Sequence, residues 1–184
     1  MLTTDELRAQ LFRLVHIARS IAMKRAMTAV CDSPRLNFWR LIFGSQLDVA
    51  VLEWCKVFGS DAEATHWKKA VNTSERSGYR SGLLAAIEID ELAWSDYWEK
   101  MKAYRDCFVA HHIENGAVAN YPELEIALKS SAFHYKHVLS QLRERGQVRY
   151  PDDLMKYYTE FEAQSFQIAR AAFAATAGIE ELVR

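Results

Sequence analysis

The sequence predicts an all-α protein, an up-and-down helical bundle of about six helices. Three observations carry that class. The strong helix formers Ala, Leu, Glu, Lys, Arg, Gln and Met are abundant along the whole chain. Seven glycines and three prolines in 184 residues are too few for a sandwich or barrel, which needs turn residues every ~8–12 positions. Apolar residues recur three and four apart through long segments, the pattern of a helix that buries one face.

The elements follow in order. Leu7, Leu11, Leu14, Ala18, Ile21 and Ala22 define a first helix over about residues 4–30, with Thr3 or Thr4 placed to cap it. Cys31-Asp-Ser-Pro34 ends it, because a proline disfavours helix at the residue before it. Phe38, Leu41, Ile42, Leu47, Ala50, Val51, Trp54 and Val57 line a second helix over residues 35–58, and Gly59 suits the position just past its end. Asp61 is placed to cap a short helix running through His66-Trp67 to residue 71. After a loop over 72–78 come a modest helix over 79–89 and a longer one over 91–112. Pro122 suits the first turn of the next helix, which runs to about 145 and stops at Gly146. Pro151 and Asp152 open the last helix, Ala-rich over 170–177. There is no internal repeat, low-complexity tract or shift of composition, so residues 1–184 read as one domain.

A net charge of −1 and a pI near 6.6 exclude a general polyanion binder and leave room for a local basic patch. Cys31, Cys55 and Cys107 are odd in number and lack Cys-x-x-Cys spacing. That pattern argues against a disulfide framework or zinc ribbon and for a reducing compartment. The N-terminus carries charges where a signal peptide needs an apolar run. Charges also interrupt every apolar stretch before the roughly 20 residues of a membrane span. The expectation is a soluble, cytoplasmic protein with no membrane partner.

Chemistry concentrates in the segment 91–112. At about 100° per residue, Trp94, Tyr97, Trp98, Met101, Tyr104 and Phe108 form one stripe. Arg105 lies inside that stripe, with His112 above it and His111 toward the edge. An inward arginine must pair with a carboxylate, reach an edge, or line a cavity that receives an anion. Arg forks onto phosphate oxygens and His exchanges protons near neutrality, so the two together suit metal-free phosphodiester cleavage.

Here the sequence resembles a family. Tyr104-Arg-Asp-Cys-Phe-Val-Ala-His111 resembles the R-(polar)-x(3–5)-H signature of HEPN domains, with a polar residue after the arginine. Arg35-Leu-Asn-Phe-Trp39, Leu52-Glu-Trp-Cys-Lys-Val-Phe-Gly59, His66-Trp67 and Tyr121-Pro122 sharpen the match. Together they resemble the bacterial abortive-infection U-type branch of HEPN proteins, across about residues 30–145. The resemblance implies a homodimeric bundle whose two Arg–His motifs share a cleft. It also implies a metal-independent endoribonuclease without other cofactors, in a toxin–antitoxin or phage-defence system with a cognate antitoxin. Such enzymes use the RNA 2′-OH as nucleophile and leave a 2′,3′-cyclic phosphate. His111 would be the acid or base, Arg105 would stabilise charge on the phosphate, and Asp106 would orient one of them. The Ala before His111 matches the branch, whereas the wheel aligns His112 with Arg105, so both stay open. Some family members have lost activity and bind a partner protein or nucleotide, which is the alternative reading.

Two further groups stand out. Arg143, Arg145 and Arg149 bracket Gly146, placed either to touch an RNA backbone or to complement a helix C-terminus. His134 and His137 share a helix face without a carboxylate at ligand spacing, so they read as core or surface histidines rather than metal ligands.

Overall fold

The chain begins with a helix whose first turn is closed by its own side chains. Thr3 Oγ1 accepts from the Glu6 amide at 3.2 Å, and Glu6 Oε2 accepts from the Thr3 amide at 2.7 Å, a capping box that satisfies donors no helical carbonyl can reach. The computed structural model describes residues 2–110, 121–147 and 149–181. In order these form α1 (Thr4–Val30), α2 (Asn37–Phe58), α3 (Trp67–Ala70), a 3₁₀ turn (Thr73–Glu75), α4 (Arg76–Ile87), α5 (Glu91–Tyr104), a π-helical segment (Arg105–Ala110), α6 (Glu125–Glu144) and α7 (Leu154–Thr176). Every regular element among the described residues is helical, so the all-α expectation holds. Seven α-helices replace about six once the single turn of α3 is counted.

The central helix is α1, which packs on α2, α6 and α7. Leu7, Leu11, Leu14, Ile17 and Ile21 on it are fully buried. Trp54 of α2 fills the middle of the core. Its ring lies 5.4 Å from Phe58, 5.7 Å from Trp94 and 5.4 Å from Tyr97, and its Nε1 donates to Ser130 Oγ at 3.0 Å. That bond matters because a buried indole N–H left unpaired is costly. A smaller cluster of Met27, Trp39, Phe43 and Ala169 fastens the other end of α2 to α7, with Trp39 stacked on Phe173 at 4.4 Å.

Helix ends differ from the sequence expectation where long-range partners intervene. Leu36 offers α2 no side-chain cap, and the Phe38 amide instead donates to Glu181 Oε1 at 3.1 Å from the far end of the chain. Helix α4 starts at Arg76, three residues early, where Arg76 Nη2 donates to Lys68 O at 2.7 Å. Helix α7 starts at Leu154 because Asp153 caps it, accepting from the Met155 and Lys156 amides at 2.7 and 3.0 Å. Gly59 closes α2 by close approach: a Cβ there would sit 2.4 Å from Cys55 O. Gly146 ends α6 at φ +74°, a conformation that favours glycine.

Candidate functional site

The stripe read from the sequence faces the core along α5, where Trp94, Tyr97, Met101 and Tyr104 are buried and Trp98 is half-buried. The α-helix ends at Tyr104, and the chain continues as the π-helical segment. The 100° step that ranked His111 against His112 therefore does not apply through residues 105–110, since a π-helix bonds i to i+5. Both histidines lie outside the described residues.

Arg105 sits at this change of geometry. Its Nε and Nη2 reach Asp106 Oδ1 at 2.7 and 2.6 Å. Consecutive side chains diverge on an α-helix; this pair closes where α5 gives way to the π segment. The Arg105 side chain is 22% exposed and that of Asp106 52%. Both contacts fall on one carboxylate oxygen, so the guanidinium is not locked in a two-oxygen fork. Among the described residues Nη1 has no hydrogen-bond partner. The half-buried arginine thus meets a carboxylate at the surface.

Tertiary packing adds neighbours that no spacing in the sequence announces. The Tyr104 hydroxyl donates to Asp48 Oδ1 on α2 at 2.8 Å, and its ring lies 6.2 Å from that of Tyr121. Beside Tyr121 opens a cleft of about 460 Å³, lined in part by Lys24, Arg25 and Thr28 of α1. Desolvation lowers the Lys24 pKa, with the nearby Asp48 carboxylate opposing it. Arg25 is paired with Glu125 at 2.8 Å. Two cations from α1 thus approach the same side of the bundle as Tyr104. Cys55 behind the motif is no nucleophile, because burial pushes its thiol up to about 12.

The three arginines around Gly146 do not converge. Arg143 pairs with Asp152, and Arg145 Nη1 donates to Leu2 O at 2.9 Å. Arg149 is exposed and lines a groove with Arg8 and Phe12. His134 and His137 resolve as structural. His134 is fully buried, with Nδ1 2.7 Å from the Tyr79 hydroxyl and Nε2 3.2 Å from Gln10 Oε1. His137 Nε2 lies 3.1 Å from Ala70 O. Among the described residues no group of three or more His, Cys, Asp or Glu is placed to hold a metal, and no helix is long and apolar enough to cross a membrane.

Among the described residues the fold is an all-helical bundle with an adjacent Arg–Asp pair where α5 passes into the π-helical segment. Compared with protein-family models, curated proteins and solved structures, the chain matches none.

Proposed function

We propose that the protein is a metal-independent endoribonuclease of the HEPN type, acting as a homodimer in the cytoplasm in a toxin–antitoxin or phage-defence role. The observation that carries this reading is Arg105, held by Asp106 through a single oxygen and partly open to solvent, one π segment ahead of His111. The RNA 2′-oxygen attacks the adjacent phosphorus while the bond to the 5′-oxygen breaks. The products are a 2′,3′-cyclic phosphate and a 5′-hydroxyl, and no external oxidant or reductant enters. His111 takes the proton from the 2′-OH or supplies one to the departing oxygen, with His112 as its alternative. Arg105 stabilises charge on the phosphoryl oxygens, and Asp106 fixes the guanidinium.

The pairing of Arg105 with Asp106 also favours a second reading, because a neutralised arginine needs no substrate to satisfy it. In that reading the chain is a catalytically silent HEPN module that binds a partner protein, such as a cognate antitoxin, or a nucleotide. One experiment separates the two. Purified protein is incubated with RNA in EDTA, and the ends are examined for cyclic phosphate. Cleavage that falls by about 10²–10⁴ in His111→Ala, the usual loss on removing a general acid or base, and comparably in Arg105→Ala supports the enzyme. An inactive His112→Ala beside an active His111→Ala exchanges the two roles. RNA left intact by wild type selects the binding module.

A further inference from the structure

One face of α1 carries a row of residues that the fold leaves partly or wholly exposed. Arg8, Phe12, His16 and Arg19 fall within about 80° of one another at 100° per residue, and they span about 16 Å of helix. Phe12 is 53% exposed, and His16 and Arg19 are exposed as well. Isolated surface phenylalanines need no explanation, but this one stands between cations. Its ring meets Tyr150 edge-on at 6.3 Å. Arg8, Phe12, Gly146, Gln147, Arg149 and Tyr150 line a groove of about 450 Å³, with Asp5 paired to Arg8 at its edge. Gly146 lines it at positive φ, just past the end of α6.

The arginines are held but not exhausted. Arg8 has Asp5 on one nitrogen at 2.9 Å and Gln147 on the other. Arg149 has no hydrogen-bond or carboxylate partner among the described residues. Further along, the Arg19 guanidinium lies over the rings of Tyr157 and Phe161 at 5.5 and 5.6 Å. The surface therefore alternates flat rings with cations. An acidic peptide offers anions without planar faces, and a membrane offers neither in a regular row. A single nucleic-acid strand offers both at every step, a phosphate for arginine and a base for an aromatic ring.

We propose that this face of α1, with Arg149 and Tyr150, is a binding surface for single-stranded RNA, separate from the Arg105–Asp106 pair. Bases stack on Phe12, Tyr150 and His16, and phosphates lie against Arg8, Arg149 and Arg19. Choosing RNA as the ligand rests on the ribonuclease reading; the geometry of the surface does not.

The test uses the full-length protein and two fluorescein-labelled probes, an oligouridylate and an oligodeoxythymidylate. The deoxy probe lacks the 2′-OH and cannot be cut by the proposed reaction, so binding and cleavage are read apart. Fluorescence anisotropy is expected to show both probes binding, with affinity falling as salt rises. Phe12→Ala is expected to weaken binding about tenfold, the scale of one lost base–aromatic stack. Phe12→Tyr keeps the ring and is expected to bind like wild type. Arg149→Glu is expected to weaken binding and make its salt dependence shallower. Phe12 and Arg149 are exposed, so unaltered circular dichroism and melting are expected for these variants. Failure of wild type to bind either probe, wild-type affinity in Phe12→Ala, or equal competition by polyglutamate overturns the proposal. Absence of cleavage with binding intact overturns the ribonuclease reading and leaves this surface standing.

Discussion

Two histidines show how far burial changes a residue's chemistry. Desolvation lowers His134 to about 3 and His66 to about 4, the latter against the pull of Asp61. In the unfolded chain both take up a proton near pH 6.5. The folded state therefore binds fewer protons between that value and about 4, and its stability is full above pH 6.5 and falls as the solution is acidified. From pH 6.5 to 5 the two sites are expected to remove about 1–3 kcal/mol, since one pKa unit corresponds to about 1.4 kcal/mol. That window lies above the usual carboxylate range, so Asp and Glu contribute little to it. Urea unfolding at pH 7 and pH 5 checks this, and equal midpoints would contradict it. Arg105 is the residue where the sequence was most informative. Its place on an apolar stripe demanded a carboxylate or an anion, and Asp106 supplies the carboxylate. What the stripe could not show is that the partner is the next residue, because adjacent pairing is not a feature of α geometry.

At the scale of elements, caps explain most helix ends and most of the differences from expectation. Thr3, Asp90 and Asp153 cap from within a few residues and are visible as local patterns. Glu181, which serves α2 from a distance, is not. Glu88 is the one non-glycine residue at positive φ among those described, at +59°, where it ends α4. A side chain in that conformation costs roughly 1–2 kcal/mol, and it lies on an exposed residue with no packing to lose. Glu88→Gly is therefore expected to raise stability by about 0.5–1 kcal/mol after the added freedom of the unfolded glycine is subtracted. Thermal melting checks it; a lower midpoint would show that the strain is absorbed elsewhere. The passage from α5 to the π segment changes the angular step along residues 105–110.

For the whole molecule, the central position of α1 is the organising fact. One of its faces closes the core against α2, α6 and α7, Lys24 and Arg25 approach the side of Tyr104, and Arg8, Phe12, His16 and Arg19 lie on a face that stays partly or wholly exposed. The family reading adds a second copy. Light scattering is expected to give twice the 21.2 kDa chain mass. A 21.2 kDa particle at high concentration would remove the shared cleft from the proposed mechanism without touching the bundle.

The sequence by itself determined the helical class, the buried stripe of α1 and the inward residues of α5 up to Tyr104. On α2 it placed Leu47, Val51 and Trp54 correctly but also Phe38 and Leu41, which are 59% and 71% exposed; periodicity marks a face, and only packing decides how far along the helix that face is covered. Tertiary structure alone decided three things: that Tyr104 meets Asp48 across 56 residues, that Gln10 and Tyr79 hold His134, and that Arg149 stands beside Phe12. Each joins residues from parts of the chain that no single helix contains. Their meeting depends on how the helices cross and where a glycine or a π turn redirects the chain, and no spacing within a single helix encodes that.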